Sequence, residues 1–234
     1  MIKFIYSILG LIVCSYLVSC QTRTNQAIQT NHQSELNQVI QSKIAELKNY
    51  RGIKILDEGP AGRKHFNSYR GEFGCSKFRI TIYNDTIFPI ELKVKFPSQP
   101  VSSLPDSLVK VQYWILPDSL TPNSFLNARD FGITGIEDHF NSDFTAPGFV
   151  KAMIQPREHY TFYVAGMGKG PFGRGSSYSK LFINRQNIDV PYLQGKSLKM
   201  DNIDSNSFDL VWGIGHTPHN LYTLIPCGQI DFLK

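Results

Sequence analysis

Five glycines fall within ten residues in GMGKGPFGRG, residues 166–175. Gly168, Gly170 and Gly173 have the G-x-G-x-x-G spacing of a dinucleotide-binding turn. In such a turn the glycines let backbone approach a pyrophosphate at a helix N-terminus. That chemistry needs a helix directly after the glycines and an acidic residue about twenty positions on. Here RGSSYSKLFINRQNIDVPY follows, which reads as loop and then strand. No helix N-terminus is offered to a phosphate, and no Gly-Lys-Ser/Thr of a P-loop falls within these glycines. A smaller chemistry remains. Lys169, Arg174 and Lys180 make the segment basic, suited to an anion or a partner surface.

Other constellations are weaker still. His216 and His219 in GHTPHN are three apart, a metal-ligand spacing on a helix, but Pro218 between them favours an extended loop. Glu137, Asp138, His139 and Asp143 in EDHFNSD could add ligands, yet nothing in the sequence ties that segment to the histidines. DNIDSNSFD, residues 201–209, is rich in oxygen ligands but lacks the glycine and distal glutamate of an EF-hand loop. Ser177 and Lys180 have the S-x-x-K spacing of a penicillin-binding nucleophile, without the Lys-Thr-Gly strand that chemistry also uses. Trp114, Trp212 and Tyr222 would stack a sugar if exposed, although aromatics at strand positions are more often core. No cofactor is implied.

The N-terminus carries the clearest signal. It reads MIKFIYSILGLIVCSYLVSCQTRT. Lys3 precedes an uncharged, mostly apolar run from Phe4 to Val18, fifteen residues, which is short for a membrane span and right for the core of a signal peptide. The run ends in Leu17-Val18-Ser19-Cys20. This resembles the lipobox of bacterial lipoproteins over about the first twenty residues. The resemblance implies cleavage before Cys20, acylation of the Cys20 thiol and a membrane attached through that lipid. Gln21 stands where inner-membrane retention in enteric lipoproteins uses Asp, so the resemblance implies the outer membrane; no acidic cluster follows Cys20 as a surface-export signal, so the expected side is the periplasm rather than the cell surface.

Composition excludes other partners. The formal charge of +5 over 234 residues comes without a long basic block, so nucleic acid is not expected, and neither is a nucleotide. Of four cysteines, Cys14 leaves with the signal peptide and Cys20 takes the lipid. Cys75 and Cys227 remain, each just before a strand-like run, in a compartment that permits disulfides. We expect them to pair and to tie the first core strand to the last. The loop closed would be about 150 residues, a stabilisation of roughly 5 kcal/mol in the chain-entropy model.

The elements that must position these residues read as follows. Residues 1–19 form the signal peptide and 20–34 a polar tether. Leu36, Val39, Ile40, Ile44 and Leu47 recur at helical spacing, which predicts one amphipathic helix within 35–51. From 52 to 234 the pattern is β. Phe78, Ile80 and Ile82 alternate with Arg79, Thr81 and Tyr83, and Ile90, Leu92 and Val94 alternate with Glu91 and Lys93, around an Asn84-Asp85-Thr86 turn. These are a hairpin or two strands of facing sheets, each with one buried and one wet side. About ten such strands predict an antiparallel β-sandwich. The pairing of ITIYNDTIFPIELKVKF with IQPREHYTFYV resembles immunoglobulin-like and related sandwich modules over about thirty residues, and implies an immunoglobulin-like or jelly-roll arrangement.

Residues 121–148 have no clean period. They read as a long, partly helical insertion anchored by Phe125, Phe131, Phe140 and Phe144. Long structured loops are where binding most often sits. The functional expectation is a non-catalytic binding or interaction module that meets another envelope protein or a glycan through this insertion and the 166–180 segment. A carbohydrate-binding or adhesin-like module and a periplasmic hydrolase are the alternatives. The hydrolase would bring His139, His216 or His219 into one cleft with carboxylates.

Overall fold

A computed structural model describes residues 49–68, 71–102, 110–120, 130–141, 148–169, 177–183, 206–216 and 221–233. The signal peptide, Cys20, the tether and most of the expected helix lie outside these residues. So do Arg174, His219, Phe125 and Phe144. Of the expected helix only Asn49–Arg51 is described, and it is a turn in which Tyr50 bridges Ile53.

The described chain builds two antiparallel five-stranded sheets. Its strands are β1 (Ile53–Ser68), β2 (Gly71–Asn84), β3 (Ile90–Lys95), β4 (Val101–Ser102), β5 (Lys110–Ile115), β6 (Phe149–Ile154), β7 (His159–Lys169), β8 (Ser177–Ile183), β9 (Ser207–His216) and β10 (Leu221–Phe232). One short helix, α1, spans Ile136–Asn141. Sheet A has the order β1-β2-β7-β5-β4 and sheet B the order β6-β3-β10-β9-β8. The β-sandwich expected from the alternation is therefore the fold. β2 and β3 are strands of facing sheets rather than a hairpin, and so are β6 and β7.

Between the sheets the even-numbered residues of β2, Phe78, Ile80 and Ile82, meet Leu92 and Val94 of β3 and Leu210 and Ile214 of β9. Trp212 is fully buried at the centre and packs edge-on against Phe78, Phe96 and Tyr113 at centroid distances of 5.3, 5.5 and 5.3 Å. Rings crossed this way align one ring's positive edge with another's negative face. Trp114 is buried as well, so neither tryptophan offers a sugar a platform.

The other face of β2 departs from expectation. It is not wet. Cys75, Lys77 and Thr81 are buried there, in a second apolar layer with Trp114, Tyr163, Ala165 and Met167. Phe131, Ile133, Ile136 and Phe140, from the middle of the insertion, close this layer. Three layers thus stack where alternation alone predicted two.

That second layer also explains the cysteines. The expected Cys75–Cys227 disulfide is absent, and both thiols are free and buried. Cys75 faces the outer layer of sheet A, whereas Cys227 faces the space between the sheets. A full sheet separates the two side chains, too far for a sulfur–sulfur bond. Burial pushes the Cys75 thiol up to about 12 and raises that of Cys227 too, so both stay protonated and unreactive.

The glycine-rich segment is corrected in the same way. Gly166 to Lys169 are not loop but the end of β7, paired with β2 on one side and, through Gly168, with β5 on the other. At Gly166 a Cβ would lie 2.8 Å from the Tyr113 ring, so the glycine makes room for an aromatic of the core. β10 is continuous from Leu221 to Phe232, with a bulge between Pro226 and Gly228. There Gly228 has φ +155°, and a Cβ would strike the Lys93 carbonyl of β3.

Along one side the sheets meet at their edges, β1 against β8. The Leu181 N–H donates to Asp57 Oδ1 at 3.0 Å across this seam. Burial raises the Asp57 carboxyl from 3.8 to about 7, with the Leu181 N–H and Lys180 opposing the shift. The folded state then holds a proton that the unfolded chain releases near pH 4. Stability falls as pH rises from about 4 through about 7, on the order of a few kcal/mol at most. Asp57→Asn keeps the acceptor and is expected to flatten urea midpoints across that window and to raise them at pH 8. A variant that tracks the wild-type pH curve would exclude the effect. Separately, peptide mapping after alkylation without reductant is expected to find Cys75 and Cys227 unmodified in the native chain and both modified in urea.

Candidate functional site

Sheet A has a gap on its side away from β1. β5 pairs with β7 only as far as Ile115 opposite Val164, and the last bond runs from Leu116 N to the Tyr163 carbonyl, 2.9 Å. Pro117 then turns the chain away into a short 3-10 turn at Asp118–Leu120. Proline lacks the N–H that the ladder would need next. Among the described residues, no strand continues along the His159–Phe162 edge of β7. The chain returns at Gly148, where a Cβ would lie 2.7 Å from the Ile115 carbonyl, and enters β6 of sheet B.

The space left between these segments is a cavity of about 520 Å³. Ile115, Val150 and Phe162 supply its apolar wall, while Asp118, His139, Lys151, Tyr160 and Thr161 bring polar groups to it. A concave site with an apolar wall and a few polar groups is the common form of a binding pocket. Burial lowers the His139 imidazole below its ordinary value, so it is neutral near pH 7 and can both accept and donate. Burial raises the Tyr160 phenol, and the Asp118 carboxylate adds to the shift, so it remains a hydroxyl donor. Phe149, 72% exposed, stands at the rim beside Lys151.

The segment over sheet A holds His139 in place. Asp130 accepts from the Gly132 N–H in a tight turn, and α1 follows from Ile136. Phe140 packs edge-on against Trp114 at 5.2 Å, which fixes the helix one residue from His139. From below, the Lys77 ammonium reaches through the apolar layer to the Ile133 carbonyl at 3.2 Å and to Asp130 at 3.6 Å. Arg79 pairs with Glu58 at 2.6 Å and lies 5.0 Å from the centre of the Phe131 ring. Two cations of one strand therefore bolt the segment down, one through an oxygen pair and one over a ring face.

Most residues singled out from sequence lie elsewhere. Lys169 ends β7, and Lys180 is exposed on β8 of the other sheet. His216 ends β9, opposite Ser177 of β8, in sheet B. His139 is not joined to it, since it sits on α1 over the outer face of sheet A. Among the described residues, no group of three His, Cys, Asp or Glu side chains could hold a metal ion. Of the cavity lining, His139 and the insertion that carries it were singled out from sequence, whereas Asp118, Lys151, Tyr160 and Thr161 were not. Asp118 sits in the turn that follows β5, and only the end of β5 pairing makes that turn a cavity wall.

No protein-family model matches the sequence. No curated protein matches it either. Among solved structures, the X-ray structure of Northeast Structural Genomics Consortium target SoR45 is similar over 78% of this chain and 88% of that one, at 7% sequence identity and a TM-score of 0.25. A likeness that low supports no argument about the fold or the site.

Lys77 is the test of how the site is held. Lys77→Ala leaves the Ile133 carbonyl buried without its donor, which costs roughly 1–3 kcal/mol. The urea midpoint is expected to fall accordingly, with the slope of the transition unchanged. An unaltered midpoint would show that the segment is held by its apolar contacts alone.

Proposed function

We propose that this chain is a membrane-anchored bacterial envelope lipoprotein whose β-sandwich acts as a non-catalytic binding module. Its anchor is a lipid on Cys20, and its location is the outer membrane, facing the periplasm. The observation that carries the anchor is Leu17-Val18-Ser19-Cys20 closing an apolar run of fifteen residues, Phe4 to Val18. The binding role draws on the cavity beside β5, where His139, Asp118, Tyr160 and Lys151 meet an apolar wall. Burial of Trp114 and Trp212 takes both tryptophans out of any surface on which a glycan would stack, and the Tyr222 side chain lies outside the described residues; this favours another envelope protein as partner. An extended segment suits the gap, because the edge of β7 there has lost its β5 neighbour.

A periplasmic hydrolase is the second reading. It draws on one observation, the neutral His139 lining the same cavity as the Asp118 carboxylate. A general base must come within hydrogen-bond reach of its proton, so a hydrolase would lose activity by about 100-fold or more on His139→Ala.

Two measurements test the leading reading. Cells fed an alkyne fatty acid are expected to label the wild-type chain and not Cys20→Ala; equal labelling would overturn the anchor. A photo-crosslinking amino acid in place of Phe149, at the cavity rim, is expected to give an adduct with an envelope protein. The same group in place of exposed Lys110, away from the cavity, is the control. Identical patterns at the two positions would remove the cavity as the contact.

A further inference from the structure

The end of the sandwich where the chain emerges from its N-terminal segment is built unlike the opposite end. Three turns meet there: Asn49–Gly52 before β1, Asn84–Pro89 between β2 and β3, and Gln155–Glu158 between β6 and β7. Asn84 is fully buried and joins two of them. Its side-chain amide donates to the carbonyls of Phe88 and Ile154, both at 2.9 Å, and its Oδ1 accepts from the Thr86 N–H at 3.0 Å and hydroxyl at 2.6 Å. Its backbone pairs with Glu158 and Arg157 of the β6–β7 turn. Asp85 joins the third, with its N–H on the Gly52 carbonyl at 2.6 Å and its carboxylate on Asn49, Lys54 and Arg157.

This network holds a tip that is apolar. Ile87 is 77% exposed and Phe88 38%, and Leu233, tied to Pro89 by a 3.0 Å backbone bond, is 39% exposed. A turn so fully hydrogen-bonded has no need of an isoleucine at its most exposed position, where polar residues are the rule. Arg51, Lys54 and Arg157 bring three cations to the tip, with carboxylates at Asp85 and Glu158. Apolar side chains ringed by Arg and Lys match the boundary between phosphate headgroups and acyl chains.

We infer that this end is a membrane-contact surface, with Ile87 and Phe88 entering the apolar boundary of the bilayer and Arg51 and Arg157 meeting its phosphates. The inference rests on the lipoprotein reading and deepens it. The position of the chain argues for a lipid surface over a protein. Only residues 21–48, 28 residues, separate Cys20 from Asn49, and Asn49 itself lines the groove beside Ile87 and Phe88. A lipid on Cys20 would present the bilayer to this end at high effective concentration, so a small apolar tip suffices for contact. The hydrogen-bonded turn holds that tip out in advance.

The test uses the full chain reconstituted in vesicles of phosphatidylethanolamine and phosphatidylglycerol with brominated acyl chains. Trp114 and Trp212 are buried and set the baseline. Ile87→Trp, and Phe88→Trp beside it, place an indole at the tip. Lys95→Trp places one at the other end of β3, about 16 Å along the strand. We expect bromine to quench the added emission at 87 and 88 at least twofold more than at 95. Equal quenching at all three positions overturns the inference. An added indole that is shielded but unquenched also overturns it, since a protein would then cover the tip. Mass spectrometry of Cys20 separates the two failures. An acylated Cys20 with an unquenched tip removes the membrane contact and leaves the lipoprotein reading. An unacylated Cys20 removes that reading, and quenching at 87 and 88 would still support the surface.

Discussion

Sheet A is buried on both faces, and much of the domain follows from that. A sheet with one wet face needs only a partner sheet. Here Ala165 and Met167 of β7 and Trp114 of β5 make the second face apolar as well. The chain covers it with its own insertion, and covering an apolar face with irregular backbone leaves polar groups to satisfy. Lys77 meets that need. Its aliphatic stem passes through the apolar layer and its ammonium ends on Ile133 and Asp130 of the cover. Removing the cover would expose the face; removing Lys77 would strand the carbonyl. The cavity is the edge of this arrangement, where β5 leaves sheet A to become the cover and returns as β6.

Most of the fold was legible. Alternation at Phe78–Tyr83 and Ile90–Lys95 gave two strands with correct inner faces, and the turn between them was placed at Asn84-Asp85-Thr86. Alternation could not say that Lys77 and Thr81 were buried, because a charged or hydroxyl side chain at an outward position reads as wet. Nor could it find β1 clearly. DEGPAGRKHF has two glycines, a proline and four charges, yet it pairs with β2 through register shifts that absorb the irregular residues. Cys75 and Cys227 misled for the same reason as Lys77. Which face of a sheet a residue occupies is visible from sequence, but whether that face has a second cover is not. The site was legible only in part, since the insertion and His139 stood out locally while Asp118, Tyr160 and Lys151 converge from segments far apart in the chain.

The two ends of the sandwich differ in chemistry. One gathers the Asn84–Asp85 network, the apolar tip and the entry of the chain. At the other lie Lys169, Ser177 and His216, the ends of β7, β8 and β9. The outer face of sheet B between them carries a ladder of alternating charge, Lys151 to Glu91 at 3.2 Å, Glu91 to Lys93 at 2.6 Å and Lys93 to Asp231 at 2.9 Å. Each of these exposed pairs adds little to stability. Lys151 puts one of these charges on β6, an edge strand with Phe149 and Met153 exposed, where a charge disfavours pairing with other chains.

β1 is the strand through which any mechanical load from the N-terminal segment must enter. It pairs with β2 at twelve positions, from Ile53 opposite Asn84 to Ser68 opposite Gly71. A pull on Tyr50 enters through its bridge to Ile53 and passes to β2 across those pairs. The Asn49 and Gly52 contacts to Asp85 take up the force first. The pull reaches the cavity only across β2 and β7.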